Sequence, residues 1–305
     1  MSDVEWVTPG SGPAGASSRP PGDGSPASVP GRAAPRPLLL RPLSVVELLD
    51  VGFAIIRARP AVVLMSSAVF VVPLALVTGF LQRDLLDGQS FLDVLSDPTL
   101  YSADDASGFD ATAVDLVGGS VVQALVGAAV AVLIAGWYVD MELDIVTLLG
   151  RLVRRAPVIL AAWAVAHLMM VVGLVVFAVG ALLVAVHLVV VAPVVAVENL
   201  GPIRALRRSR RLVRGRFWSV AWFFVLSGLM GSLVETVLGA LPTGLGLVMG
   251  LDLGWIAVAV GAMVGGTVAT AFVGAATVAL YFDMRVRTEG LDIELRMSDA
   301  FSPDP

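Results

Sequence analysis

The chain has 305 residues, 57% of them hydrophobic and only 15% charged, with a formal net charge of −5. Soluble domains carry roughly 25% charged residues, so this balance belongs to a membrane protein. All twenty basic residues are arginine and there is no cysteine, which excludes disulfides, thiolate nucleophiles, cysteine-based zinc sites and a lysine-dependent Walker A loop.

Residues 1–36 hold seven of the eighteen prolines, with many Gly and Ser and few apolar side chains. Such a segment buries too little surface to offset its ordering entropy, so residues 1–40 are expected to be a disordered tail. It lacks the basic start, apolar centre and small-residue cut site of a signal peptide. Trp6 is an isolated aromatic there, either without a role or part of a short docking motif.

Ser44 followed by Glu47 is a capping box. At ~100° per residue, Val45, Leu48, Leu49, Gly52, Ile55 and Ile56 share one face, with Glu47, Asp50 and Arg57 opposite. The 44–58 segment is short and charged for a span, and no soluble core follows to receive it. The pattern predicts an amphipathic helix lying at the membrane surface.

Uncharged runs then occupy 60–82, 116–139, 156–197, 217–234 and 253–282. A bilayer core needs about 20 helical residues, so the third run is two spans, turning near Gly180. The expected spans are 60–81, 116–138, 157–178, 182–198, 217–239 and 255–282, within a membrane domain of 41–298 followed by a flexible 299–305. The 83–115 loop carries eight aspartates and one arginine, and the 240–254 loop has no basic residue. With six spans the other nineteen arginines share one side. The positive-inside rule makes that side the cytoplasm, with both termini inside and the chain multi-pass in the plasma membrane.

The densest basic stretch is VENLGPIRALRRSRRLVRGRFW, from Val197 to Trp218. Gly201-Pro202 starts a helix. Ile203, Leu206, Val213 and Phe217 form its apolar stripe, while Arg204, Arg207, Arg208, Arg211 and Arg214 cover a face of ~120°. These arginines hold the loop inside, and they are candidates for anionic lipid headgroups. Nucleic acid is not expected as a partner, because no aromatic platform interleaves the charges.

His167 and His187, the only histidines, fall near the middle of spans three and four, and Glu235 near the outer end of span five. Intramembrane ionisable groups are costly and often functional, but a backbone or mutual hydrogen bond suffices to hold a neutral histidine. The three define a weak candidate polar site. Pro73 and Pro193 predict kinks. Gly261, Gly265 and Ala269 form a small-residue face, for internal packing or for a second copy. In the tail, Asp283 with Arg287 and Arg285 with Glu289 are i,i+4 pairs, and Gly290 stops the helix. Leu291, Ile293 and Leu295 suggest an extended piece that docks, through acid–base attraction, on the 204–216 helix. The acidic loop has no EF-hand spacing, and no G-x-S-x-G or H-E-x-x-H occurs, so no metal, cofactor or catalytic residue is expected.

Three fragments together carry a family likeness: RPLSVVELLDVGF, VENLGPIRALRRSRRLVRGRFW and YFDMRVRTEGLDIEL. The chain resembles a family of actinobacterial polytopic membrane proteins often labelled glycerophosphoryl diester phosphodiesterase membrane domain-containing. The resemblance covers about residues 41–296, and the opening Trp6-Val-Thr-Pro-Gly is similar too. The phosphodiesterase activity in that label belongs to a separate metal-dependent barrel rich in His, Glu and Asp, for which this chain has neither room nor histidines. The resemblance therefore implies topology and not hydrolysis.

The sequence thus predicts an all-α integral membrane protein with six spans, N-in/C-in, and cytoplasmic amphipathic helices at 44–58, 140–155 and 202–215. The expected function is non-enzymatic: a scaffold or accessory subunit contacting membrane lipids, a membrane-protein partner or a second copy. The alternative is a small transporter or export component using the kinked fourth span and the histidines.

Overall fold

The computed structural model describes residues 41–81, 83, 106–138, 141, 143–176, 178–249 and 254–291. The proline-rich tail, most of the aspartate loop, the expected extended piece and the 299–305 end lie outside the described residues. Nine α-helices and no strand occur among those described: α1 (Val45–Ala58), α2 (Pro60–Leu81), α3 (Ala106–Tyr138), α4 (Ile145–Val176), α5 (Ala178–Leu188), α6 (Val191–Glu198), α7 (Pro202–Val213), α8 (Phe217–Met249) and α9 (Gly254–Glu289). Six stretches are long and apolar enough to cross a membrane: Pro60–Leu81, Thr112–Trp137, Ile145–Val175, Val179–Glu198, Phe217–Leu245 and Trp255–Glu289.

Several boundaries differ from the sequence expectation. The 140–155 helix and the third span are one rod, α4, which runs unbroken through Pro157. The third-span helix ends at Val176 and the next begins at Ala178, so Gly180, the expected place of the turn, is helical. There Gly173 and Gly180 let the two backbones touch: a Cβ on Gly173 would come within 2.8 Å of the Gly180 carbonyl carbon. The fifth span continues past Pro242 to Met249, so much of the expected 240–254 loop is helix. In an apolar medium every backbone N–H and C=O needs an internal partner, which prolongs helices through residues of poor propensity.

The expected kink in span four is a break at Val189 and Val190 that separates α5 from α6. Pro193 causes it, having no N–H for the carbonyl four residues back. The neighbouring His187 carbonyl accepts instead from Ser209 Oγ of α7 at 2.8 Å. The basic helix is therefore stitched to the break.

The Ser44–Glu47 capping box forms as expected: Ser44 N–H donates to Glu47 at 2.7 Å and Glu47 N–H to Ser44 Oγ at 3.3 Å. The Ser44 backbone N–H, then Arg41, hold the Glu47 carboxyl down from 4.5 to about 2. Because the folded value is depressed, the cap's contribution is present above the ordinary carboxylate range and is lost as pH falls from 4.5 toward about 2. Amide exchange across the first turn of α1 should rise only in that window; fraying at neutral pH would contradict the assignment.

The apolar face of α1 is buried against α9, which supplies the receiving surface that the sequence did not disclose. A Cβ on Gly52 would lie 3.1 Å from Ala276 Cβ, and the Phe53 ring stacks on Phe272 with centroids 4.2 Å apart. A side chain at position 52 would have to push α9 back by a few tenths of an ångström. Central α9 also packs against α2, α3 and α8. Its small-residue face serves internal packing: Gly261 and Gly265 meet the backbone carbonyls of Gly239 and Glu235 on α8.

One end of the bundle gathers the start of α1, the end of α6, α7 and the end of α9, along with Arg155 of α4. We call it the arginine end. Buried side chains crowd there, including Leu148, Leu152, Val194, Leu212, Tyr281 and Met284.

Candidate functional site

Gly201 is the extended N-cap of α7 and Pro202 its first residue. Gly215, at φ +90°, turns the chain into α8. Only glycine adopts that backbone readily. The buried stripe of α7 is Ala205, Leu206, Ser209, Leu212 and Val213. Ile203, expected in the stripe, is half exposed. The helix is rotated about its axis because Arg208 is drawn inward.

Arg208 is the centre of an ionic cluster. Its Nε donates to both Glu198 oxygens, at 2.8 and 3.0 Å, and its Nη1 pairs with Glu289. Tyr281 O–H donates to Glu198 at 3.0 Å, and Arg285 Nε donates to Glu289 at 3.0 Å. The Glu289 hydrogen bond raises the pKa of Arg208 further above its ordinary range, against the opposing effect of burial. One arginine thus binds α6, α7 and α9 together. Arg204, Arg207, Arg211 and Arg214 are exposed, as is Arg210, and none of them has a side-chain partner among the described residues. The expected arginine face divides: Arg208 belongs to the interior, and the others to the surface.

A second cluster fastens the chain before α1. Buried Asp283 accepts from Leu43 N–H at 2.7 Å and from Arg287 Nε at 2.8 Å, while Arg287 Nη2 donates to the Leu43 carbonyl at 2.7 Å. Both expected i,i+4 pairs of the tail form. Gly290 ends α9 at φ +66°. The acid–base contact between the tail and α7 is present as Glu289–Arg208; Asp292 and Glu294 lie outside the described residues.

The three weak candidates are not brought together. His167 Nδ1 donates to the Trp163 carbonyl at 3.0 Å and lines a cavity of about 640 Å³ between α3, α4, α5, α6, α8 and α9. His187 Nδ1 donates to the Leu183 carbonyl at 2.7 Å, and its ring lies 5.3 Å from Phe217 at the start of α8. It therefore stands beside the arginine helix, away from a midplane pair. Glu235 lies near the middle of the lengthened α8 and does not line the cavity. The cavity is mostly apolar, with Ser120, Gln123, Ser227 and Thr277 as its other polar residues besides Trp163. No group of three metal-ligating side chains occurs among the described residues.

Sequence reasoning missed Glu198, Tyr281 and Ser209. Glu198 carried a usable signal: it ends a 42-residue uncharged run, three residues before a Gly-Pro helix start and ten residues from Arg208. That spacing suits an acid on one helix of a tight turn facing a base on the next. No family model, no curated protein and no solved structure matches this chain.

Proposed function

We propose that the chain is a non-enzymatic, six-span scaffold or accessory subunit of the plasma membrane. Both termini are cytoplasmic, and the exposed arginines of α7 rest on anionic lipid headgroups. The division of α7 supports this most directly. Arg208, Ser209 and the buried stripe fix the helix, so Arg204, Arg207, Arg211 and Arg214 are not needed to hold it. Like charges crowded on one short helix repel one another and need counter-charge, which a phosphate-bearing leaflet supplies at about 1 kcal/mol per arginine. A cavity lined by His167, His187 and Glu235 would favour the transport alternative, and of the three only His167 lines the cavity.

The test has two readouts. A cysteine replacing Asp105, unique in this cysteine-free chain, should react with impermeant reagent outside intact cells. Nanodiscs of mixed phosphatidylglycerol and phosphatidylcholine should lose anionic-lipid enrichment when Arg204, Arg207, Arg211 and Arg214 become glutamine. Salt should mimic that loss. A shielded cysteine would reverse the orientation, and unchanged enrichment would remove the lipid role of α7.

A further inference from the structure

A second cavity, of about 490 Å³, opens at the arginine end between α3, α4 and α6. Arg151, Arg154 and Arg155 of α4 line it, together with Asn199. Asn199 ends α6 in the left-handed conformation, at φ 52°, and its Oδ1 accepts from Arg155. Asparagine is one of the few residues other than glycine that visits this backbone region readily. Arg155 is thereby oriented, while Arg154 has no partner among the described residues. The cavity floor is apolar, formed by Val132, Ala135, Leu152 and Ile159.

The larger cavity begins where this one stops. Along α4 the basic cavity is lined from Arg151 to Ile159 and the larger one from Ile159 to Met170. Along α3 the linings run from Gly136 back to Val132 and then from Gly127 to Ser120. Along α6 they run from Asn199 to Ala196 and then from Val195 inward. Ile159, 2% exposed, belongs to both. A basic cavity and an apolar cavity thus adjoin along one helical seam and share Ile159 as a lining residue.

We propose that this seam holds a single anionic diacyl phospholipid. Its phosphate lies on Arg151, Arg154 and Arg155, and one acyl chain runs past Ile159 into the chamber beside Trp163 and His167. Three arginines within five residues complement the negative charge of a phosphodiester, and basic pockets between spans are where anionic headgroups bind. The apolar chamber falls in the size range of pockets that enclose much of a ligand, and it suits a hydrocarbon tail. Neither the exposed face of α7 nor its arginines enters this site. The site shares with the function proposed above only the placement of the arginine end at headgroup level.

Native mass spectrometry of the whole chain in mild detergent, titrated with phosphatidylglycerol or phosphatidylcholine, tests the site. One phosphatidylglycerol should be retained per chain, at about tenfold lower concentration than phosphatidylcholine. Substituting glutamine for exposed Arg151 and Arg154 together should abolish that preference. Gly228→Phe addresses the tail separately: Gly228 lines the apolar cavity, and a Cβ there meets nothing within 4 Å, so the new side chain starts in open space. It should weaken both lipids about tenfold while the arginines remain. Substituting glutamine for Arg204, Arg207 and Arg211 should leave the retained lipid in place, which separates this site from α7. Inorganic phosphate should not displace it. Equal retention of the two lipids, retention unaffected by Gly228→Phe, or displacement by phosphate alone would each overturn the proposal.

Discussion

Replacing Asp283 with alanine should release α1 from the bundle and cost about 3 kcal/mol of stability. The carboxylate is almost wholly buried and answers both Leu43 N–H and the Arg287 guanidinium. Without it, a buried N–H loses its acceptor and a partly buried cation loses its counter-charge, and both penalties fall on the folded state. Asp283→Asn should cost less, because the amide oxygen can still accept from Leu43. Two measurements check this: the thermal midpoint in detergent, and thiol reactivity in an Ile55→Cys background. Ile55 is fully buried, so the thiol should be silent in the parent and reactive in the alanine variant. A silent thiol in both would mean that the Gly52–Ala276 packing holds α1 without the ionic clasp.

Arg208→Ala should be the most damaging substitution in α7, although the helix holds four other arginines. It leaves Glu198 and Glu289 as neighbouring carboxylates, with only Arg285 to offset one of them. Removing one partner of a buried pair costs about 3–5 kcal/mol, and partial exposure here brings the expectation nearer about 2–3. The pH dependence is diagnostic. In the parent, the pairs require ionised carboxylates, so acid weakens them. In the variant, Glu289 loses the hydrogen bond from Arg208 that chiefly holds its carboxyl below the ordinary range, so acid removes less stability through it. The stability gap should therefore narrow as pH falls. Arg208→Met keeps the aliphatic stem and should show the same pH trend with a smaller total loss. A gap independent of pH would assign the defect to packing instead of charge.

Much of the architecture could be read in the residues because membranes constrain local sequence so strongly. Uncharged runs marked each span, Ser44 and Glu47 the start of α1, and Gly201, Pro202 and Gly290 the ends of charged helices. What escaped was set by tertiary contact. Nothing local to 145–155 says that a basic helix continues through Pro157 into the third span. The partner of α1 was hidden too, because Gly52 matters only once Ala276 lies against it. The arginine wheel treated Arg208 as one of five equals. Its inward turn depends on Glu198 and Glu289, which lie on two other helices. The stacked cavities were invisible for the same reason: Arg151, Ile159 and Asn199 share a wall only after three helices meet.

The unequal distribution of buried side chains bears on how the molecule comes apart. At the arginine end, helices interlock through full side-chain burial and two ionic clasps. Toward the other end no such clasp is present among the described residues, and Leu168, Val172, Val175, Leu183, Leu233 and Leu241 point outward to the surrounding solvent. In a bilayer that solvent is hydrocarbon under lateral pressure, which supports the helices from outside. When the lipid is thinned by detergent, that support goes first. The glycine contacts keep α4 with α5 and α8 with α9, so these pairs can part from one another at the far end while the ionic end still keeps them in register.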